Sequence, residues 1–216
     1  ESRGLGDVYK RQERRLADPT LPMEEAFSQH LKEEELELPA GQFALFMNSM
    51  YAVDAYVRDY FRKAALDALL AEKLPVTVFG EGWEKYSCGD GHSLRREPAV
   101  PFALSFERIA KAHVLLNVSP IFNRGMHDRV PAGMANHAVV LTDENPYLRR
   151  TFTGGKELLF YSLEKPDTLC EQAERALTDV RLREKIAASA YETFEREYTW
   201  KRRAEQICLL YTSDAA

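Results

Sequence analysis

Short apolar runs alternate with amphipathic stretches along most of this chain. Residues 113–118 (HVLLNV) and 138–142 (AVVLT) are apolar on both faces, as strands at the centre of a parallel sheet are. Apolar residues recur at helical spacing over 126–136, and again over 166–179 and 181–197. Strands and helices that alternate through short connections form right-handed βαβ units. The pattern therefore predicts an α/β fold with a doubly wound parallel sheet.

The regions on either side predict further elements. Residues 76–79 (VTVF) predict a strand, and the glycines Gly80 and Gly82 after it permit a tight turn. Residues 43–47 (FALFM) predict another buried strand, which is followed by a polar turn at Asn48 and Ser49. Residues 146–152 predict a helix or turn, and residues 157–161 predict the last strand.

Helices are expected near both ends of the chain. Residues 19–37 are acidic and amphipathic, and the aromatic side chains from Tyr51 to Phe61 predict the core-packed face of a helix. Residues 86–101 predict a loop, after which Ser105 is expected to cap a short helix. Trp200 and a further short helix follow the two long C-terminal helices.

The domain organisation follows from these elements. Residues 41–208 are expected to form one Rossmann-like domain, and residues 13–40 a helical segment that remains from a missing upstream domain. Residues 1–12 and 209–216 resemble adaptor-derived read-through at the edges of assembled metagenomic fragments, so we expect them to be sequencing scars. We therefore interpret the chain as a fragment of a longer protein.

Composition narrows the range of partners. The formal net charge is -5, and the only short basic run covers residues 201–203, so neither nucleic acid nor an anionic membrane is expected as the main partner. Cys88, Cys170 and Cys208 lack the spacing of a zinc site, and we interpret the pair Cys88 and His92 as part of a polar loop. No apolar run is long enough to span a membrane, and no leader is seen, which predicts a cytoplasmic protein.

The loop from Ser119 to Arg129 is the main candidate site. It follows one buried strand and precedes a helix, at the sheet edge where phosphates bind to free backbone N–H groups. Gly125 would let the backbone approach a diphosphate, the amides of Met126 and His127 would bind it, and Arg129 would offer a guanidinium fork. His127 could also polarise a leaving phosphate. Alternatively, Asp128 stabilises the helix start and Arg129 pairs with a carboxylate.

Other candidates lie at the ends of the remaining strands. Gly80 and Gly82, with Glu81 and Trp83, could form a turn beneath a nucleotide base, or a turn in which the tryptophan simply packs. Asn48 could contact phosphate or acceptor, or only shape its turn. Thr142, Asp143 and Glu144 could reach sugar hydroxyls, or could merely precede a helix that begins at Asn145 and Pro146. His113 and His137 lie against apolar neighbours and are expected to be core or packing residues.

Three passages in this order resemble the C-terminal, nucleotide-sugar-binding half of GT-B glycosyltransferases, group-1-like and of the spore-maturation-protein type. They are VTVFGEGWEKY, LLNVSPIFNRGMHDRVPAGMANHAVVLTDENPYL and FTGGKELLFYSLEKPDTL, and the likeness covers about residues 43–207. The resemblance implies transfer of a sugar from a nucleoside-diphosphate sugar to an unknown acceptor, with no bound metal and no other cofactor. It also implies an N-terminal GT-B domain that supplies the catalytic base, so the isolated chain would at best bind donor.

The chain departs from that resemblance at two positions. Many retaining members of the wider superfamily carry two glutamates eight positions apart, and here those places are Arg124 and Ala132. If a carboxylate contacts the nucleotide ribose, it would have to be Asp128 or Asp143. The departure leaves a second hypothesis open, a non-catalytic α/β binding module derived from the same fold. A receiver-like regulator is disfavoured, since the acidic pocket of a phospho-acceptor site is missing.

Overall fold

The computed structural model describes residues 13–87, 93–120, 122 and 124–213 of the chain. Residues 13–17 are helical. The helices that follow are α1 (Met23–Glu33), α2 (Ala40–Ser49), α3 (Tyr51–Ala71), α4 (Phe102–Ile109), α5 (Arg129–Ala135), α6 (Pro146–Thr151), α7 (Pro166–Thr178), α8 (Val180–Glu197) and α9 (Trp200–Ser213). The strands are β1 (Val76–Phe79), β2 (Leu94–Glu97), β3 (Val114–Asn117), β4 (Val139–Asp143) and β5 (Leu159–Tyr161).

All strand pairs in the described part of the chain are parallel, as the alternation of strands and helices predicts. They form two sheets, one of β1 and β2 and one in the order β3-β4-β5. Val76 lies opposite Leu94 in the first sheet, and Leu141 lies between Leu116 and Leu159 in the second. The mixed α/β class is confirmed, but the sheet is divided between β1 and β3 rather than continuous.

Helices cover both faces of the larger sheet. Alternate residues of β4 and β5 pack with α3, α7 and α8 on one face and with α5, α6 and α8 on the other. Val139 and Leu141 face the first layer, and Val140 faces the second. Because β4 is buried on both faces, its first three residues, Val139 to Leu141, are apolar without alternation. The doubly wound arrangement predicted from the sequence is confirmed.

Helix α5 sits very close to the larger sheet. A Cβ atom added to Gly133 would come within 2.4 Å of Val140 Cγ2 and 3.0 Å of Leu115 Cδ2. The helix ends in a left-handed residue, His137 (φ 57°), and the following amide, that of Ala138, bonds to the Gly133 carbonyl at 3.1 Å. Chain reversal here thus leads straight into the buried strand β4.

The two histidines expected to pack in the core are exposed at the surface. His113 precedes β3. His137 does pack, but outside the core, because its ring stacks on Tyr191 with centroids 4.2 Å apart. His137 has a left-handed backbone just after the end of α5, where its side chain is exposed. The apolar residues next to it in the sequence do not indicate this exposure.

The strand predicted at residues 43–47 is wrong. These residues belong to α2, which follows Pro39, and Phe43 and Phe46 contact the ring of Phe27 on α1. An apolar run of five residues fits a strand or a helix equally well, so periodicity could not distinguish them. Asn48 is consequently an exposed residue of α2 and does not end a strand.

The aromatic stripe of α3 is only partly core, which corrects a second prediction. Phe61 is buried at 5% exposure, together with Val53 and Val57, whereas Tyr51 (71%) and Tyr56 (48%) are exposed. A helical turn of 3.6 residues places these tyrosines on the flank of the stripe rather than at its centre.

The segment from residue 86 to residue 101 contains a strand that the sequence analysis missed. Strand β2 (LRRE) buries Leu94 and leaves both arginines exposed. An edge strand with charged side chains lacks the apolar pattern by which strands are recognised. Ser105 lies inside α4 rather than at its start, and its hydroxyl donates to the Phe102 carbonyl at 2.6 Å, so the predicted cap is also wrong.

A mainly apolar cavity of about 730 Å³ separates the two sheets. Val78 of β1 and Leu116 of β3 line opposite walls, and α4 contributes Phe102 and Ile109. The end of the cavity beside the carboxyl ends of the strands carries charged groups, described next.

Candidate functional site at the carboxyl ends of β3 and β4

A buried polar network lies where β3 and β4 end. Asn117, the last residue of β3, is fully buried, and its Nδ2 donates to Thr142 Oγ1 at 2.9 Å. Asn117 Oδ1 accepts from Ser119 Oγ at 2.9 Å, and the Asn117 carbonyl accepts from the Tyr161 hydroxyl at 3.1 Å. Three strands are thus linked by side chains at one point of the sheet edge, which gives the site a rigid floor.

Arg129, the first residue of α5, reaches into this network. Its Nε donates to Asn117 Oδ1 at 2.8 Å, and its Nη2 lies 3.4 Å from both the Val118 carbonyl and Ser119 Oγ. The same side chain lines the cavity. Burial lowers the pKa of Arg129, and the nearby Arg62 lowers it further, but a guanidinium remains charged at neutral pH. The site therefore holds a fixed cation whose hydrogen-bond partners are neutral.

Arg62 on α3 brings a second positive charge to the cavity. It lowers the pKa of both His127 and Arg129, and it lies 3.7 Å from the exposed carboxylate of Asp59. Two guanidinium groups at one end of an apolar cavity create a region of positive potential that favours an anion. The aromatic stripe of α3 predicts core packing and gives no sign of this arginine.

Asp143 occupies the end of β4 and is almost fully buried, at 2% exposure. Its Oδ1 accepts the Ser119 amide at 2.7 Å. Burial raises the pKa of the carboxyl group to about 7, and Arg129 offsets part of that rise. The pKa of Asp143 is thus raised toward neutrality because the carboxyl group is buried, while the Ser119 amide and Arg129 both favour its ionised form.

His127 and Asp128 adjoin Arg129 at the mouth of the cavity. Burial lowers the pKa of His127, as does the charge of Arg129, so the imidazole is mainly neutral at pH 7. Its Nδ1 contacts both the Arg129 amide and the Asp128 carboxylate. Asp128 sits at the N-cap position of α5 without a capping hydrogen bond. The hydrogen bonds of Arg129 go to other groups, but the charges of Asp128 and Asp143 both raise its pKa, so the alternative of pairing with a carboxylate is supported electrostatically.

Asn145 holds the loop in front of the site. Its side-chain amide donates to the carbonyls of Phe122 (2.5 Å) and Gly125 (3.3 Å), and its Oδ1 accepts the Leu148 amide at 2.8 Å. The helix predicted to begin at Asn145 is confirmed, and the same side chain fixes the loop. Met126 packs against the apolar cluster of Val130, Met134 and Val140 on the second face of the sheet. His127 and Asp128, which follow it, line the cavity.

The turn after β1 forms the far side of the cavity. Gly80 (φ 118°) and Gly82 (φ 91°) both adopt backbone conformations that glycine tolerates best, which confirms the predicted tight turn. The Trp83 indole N–H donates to the Phe79 carbonyl at 3.3 Å. Phe79 and Trp83 line the cavity, so aromatic side chains contribute to its wall.

The structure brings together only part of the predicted set. His127, Asp128 and Arg129 line the cavity, Gly125 and Met126 lead into it, and Gly80 and Gly82 shape its far wall. Thr142 and Asp143 are buried in the network beneath the cavity and do not line it, so direct contact of these residues with sugar hydroxyls stays a prediction. Asn48 lies on α2 and does not line the cavity.

Residues missed from the sequence complete the site. Asn117, Arg62 and Tyr161 all take part in it, although none was a candidate. A polar side chain that ends an otherwise apolar strand was the available signal for Asn117. No local pattern distinguishes Arg62 or Tyr161 from ordinary surface and core residues.

Further observations bear on metal and membrane. The described residues contain no group of three or more histidine, cysteine, aspartate or glutamate side chains arranged to hold a metal ion. Cys88 and His92 lie outside the described residues. Among the helices that the structure describes, none has both the length and the apolar composition needed to cross a bilayer.

Comparison of the sequence with models of known protein families identifies the family of this chain. The sequence profile of the glycosyl transferase-like family matches residues 58–209, well over half of the chain. The chain belongs to the glycosyl transferase-like family. The match includes β1 to β5 and every residue that lines the charged end of the cavity. A search of curated protein sequences finds no match.

Solved structures of Anabaena Alr3699/HepE share the fold. Anabaena Alr3699/HepE in complex with UDP-glucose is 12% identical, with a TM-score of 0.56 over 71% of this chain and 44% of that one. The same protein with UDP, and with UDP and glucose, gives TM-scores of 0.58 at 12% identity, over 69% of this chain and 44% of that one. The chain thus spans less than half the length of HepE.

The glycosyltransferase-like domain that the sequence resembled is therefore confirmed. Its carboxyl-edge site combines a fixed guanidinium, a second arginine, a neutral imidazole and an aromatic wall. Such a site can bind a flat or apolar group together with an anion, and can stabilise negative charge that develops on that anion.

Proposed function

We propose that this chain is the C-terminal, donor-binding domain of a GT-B glycosyltransferase of the spore-maturation-protein type. It binds a nucleoside-diphosphate sugar at the carboxyl ends of β3 and β4 and presents the sugar to an acceptor. The observation that carries the proposal is Arg129, a cation fixed at the charged end of a cavity whose other walls are apolar and aromatic.

The diphosphate would lie against Arg129 and the backbone of residues 125–127. Arg129 supplies charge-assisted hydrogen bonds to phosphate oxygens, and Arg62 adds long-range attraction. When the bond to the sugar breaks, negative charge grows on the leaving diphosphate, and these two cations stabilise it. His127, neutral at pH 7, is placed to donate a hydrogen bond to the same group.

The nucleoside would occupy the apolar part of the cavity between Phe79 and Phe102, which offers aromatic surface for a base. Asp128 is the carboxylate at the mouth of this cavity and so the candidate for a ribose hydroxyl. Asp143, buried beneath Arg129, is assigned no direct contact with donor.

The catalytic base is assigned to the remainder of the enzyme. HepE, whose complexes contain UDP-glucose or UDP, is more than twice as long as the matched segment. Accordingly, the isolated chain binds nucleoside diphosphate without transferring sugar. Robust transfer from a UDP- or GDP-sugar by this chain alone would overturn that part of the proposal.

The deciding experiment is calorimetric titration of the chain with UDP, GDP and the parent nucleosides. A hydrogen bond to a charged group contributes about 1.5–3 kcal/mol, so Arg129→Gln should weaken diphosphate binding by roughly 10- to 150-fold. Nucleoside affinity should change little. Arg181→Gln is the matched control, since this exposed arginine in the first turn of α8 does not line the cavity.

Absence of binding by the folded wild-type chain at millimolar UDP and GDP would refute the proposal. Equal losses in Arg129→Gln and Arg181→Gln would refute the role of Arg129. Binding of one diphosphate over the other would name the base of the donor.

A non-catalytic binding module of the same fold is the second candidate. The observation that favours it is Arg124, which occupies one of the two positions where many relatives carry a glutamate and forms an ion pair with Glu25 of α1. Full-length protein that binds a nucleotide sugar but neither transfers nor hydrolyses it would support this candidate.

A further inference from the structure

The Asn117 carboxamide is the part of the site with the most fully specified hydrogen bonds. Its oxygen accepts from Arg129 Nε at 2.8 Å and from Ser119 Oγ at 2.9 Å, and its nitrogen donates to Thr142 Oγ1 at 2.9 Å. The side chain is fully buried. Each of these groups contacts the atom of the amide that suits it, because two donors meet the oxygen and a hydroxyl oxygen meets the NH₂ group.

The second end of the amide prevents it from turning. Thr142 Oγ1, after accepting from Asn117, lies 3.2 Å from the Asp143 carbonyl and can donate to it. If the amide flipped, its NH₂ group would face the Arg129 guanidinium, which can only donate. The hydrogen bond from Asn117 Nδ2 to Thr142 Oγ1 therefore keeps the Asn117 Oδ1 atom directed toward Arg129.

We propose that Asn117 is a positioning residue that fixes the Arg129 guanidinium for the donor diphosphate. The inference rests on the proposed function, since it assigns Arg129 a diphosphate to bind. Arg129 donates through Nε and Nη2 to acceptors of the described residues, and no acceptor among those residues engages Nη1. Asn117 thus orients one edge of the fork and leaves the guanidinium able to bind an anion.

The neutrality of this partner is the chemical reason for an asparagine here. An aspartate of the same shape would still accept the Arg129 Nε–H, but as an ion pair that neutralises the charge meant for the phosphates. It would also place a second carboxylate in the buried network that already contains Asp143, and would lose the donor to Thr142. A neutral amide orients the Arg129 guanidinium without neutralising its positive charge.

Alternative roles predict different losses. If Asn117 only supported the sheet, its replacement would weaken all ligand binding together with stability. If it positions Arg129, its replacement should weaken binding of the diphosphate while the nucleoside, which does not need Arg129, binds as before.

The experiment compares Asn117→Asp and Asn117→Ala with wild type. Asn136→Asp is the matched control, because Asn136 is the C-cap of the same helix and, among the residues that the structure describes, its Nδ2 donates to the local Ala132 carbonyl at 2.8 Å. Calorimetry with UDP and uridine, or with GDP and guanosine if wild type prefers that base, gives the ratio of the two dissociation constants. NMR of the Arg129 Nε–H gives a second measurement that needs no ligand.

We expect each Asn117 variant to weaken diphosphate binding by about tenfold or more, as loss of a hydrogen bond to a charged group does. Nucleoside affinity should stay within about twofold, and the Arg129 Nε–H should exchange much faster with water in Asn117→Ala than in wild type or Asn136→Asp. Diphosphate binding unchanged in both Asn117 variants, or equal loss for diphosphate and nucleoside, would overturn the inference.

Failure of the proposed function gives a different result. Wild type would then bind no nucleoside diphosphate, while the Arg129 Nε–H would still test whether Asn117 holds the guanidinium. Rapid exchange of that proton in wild type would overturn the inference without reference to any ligand.

Discussion

Replacing Asp143 with asparagine should make the stability of this domain less sensitive to pH. Asp143 is buried at the end of β4 with a pKa raised to about 7, mainly by burial, against an ordinary value of 3.8. The charged groups that face it are Arg129 on α5, whose attraction opposes the rise, and, when ionised, Tyr161 on β5. Asparagine keeps the size and the acceptor for the Ser119 amide but cannot ionise.

The sign follows from proton binding. Between pH 3.8 and about 7 the folded chain retains a proton on Asp143 that the unfolded chain releases. Wild-type stability from this group is therefore fully present below pH 4 and is lost as the pH rises to 7. One pKa unit corresponds to about 1.4 kcal/mol, so the loss across this window is on the order of 4 kcal/mol.

The assay is urea unfolding of wild type and Asp143→Asn at several pH values from 4.5 to 8.5, followed by circular dichroism. The difference in free energy of unfolding should shift in favour of the variant as the pH rises, and should level off above about pH 7.5. Every other titrating group is common to both proteins, so the pH-dependent part of the difference belongs to Asp143 and its neighbours.

Asp59→Asn is the control, because its carboxylate is largely exposed on α3, and a surface substitution of this kind should change the free energy of unfolding by about 0.5 kcal/mol or less. A difference between wild type and Asp143→Asn that is constant from pH 4.5 to 8.5 would refute the reasoning. So would a shift in favour of wild type.

Three further predictions concern the packing that holds the site, each measured by urea unfolding. Gly133→Val should destabilise the protein by about 1–3 kcal/mol or more, because the new side chain overpacks α5 against the sheet. Gly41→Val, whose side chain would extend into open space, should cost less than about 1 kcal/mol. Equal losses in the two variants would contradict the close contact at Gly133. Phe61→Ala should cost about 3–5 kcal/mol because Phe61 is core, and Tyr51→Ala about 0.5 kcal/mol or less; a large loss at Tyr51 would place it in the core. Asp179→Ala should cost about 0.5–2 kcal/mol by removing the cap on the Leu182 amide, with Asp179→Asn near wild type; an equal loss in both would exclude the cap.

The parts of the fold that could be predicted are those where local sequence and burial agree. β4 is apolar because both of its faces are covered, and the Asn-Pro pair after it begins α6 through a cap that needs only neighbouring residues. Gly80 and Gly82 adopt the positive φ values that made glycine informative there. At these positions the local sequence, over a few residues, is sufficient to predict the local structure.

The errors fall where a local pattern fits two structures. Residues 43–47 suit a strand as well as the helix α2 that they form, and the polar edge strand β2 has no apolar pattern at all. The exposed tyrosines of α3 show the same limit, since spacing identifies a helix but not how wide its buried face is. Only the neighbouring elements decide these cases.

The candidate site divides in the same way. The sequence by itself determined the α/β class, the glycosyltransferase resemblance and the loop that carries His127, Asp128 and Arg129, because apolar runs and strand-end loops are local features. Tertiary structure alone decided that Arg62 faces the same cavity, that Asp143 is buried rather than exposed, and that Asn117 holds Arg129. Burial and hydrogen-bond partners are set by residues that are distant in sequence and meet only when parallel strands align their carboxyl ends at one edge.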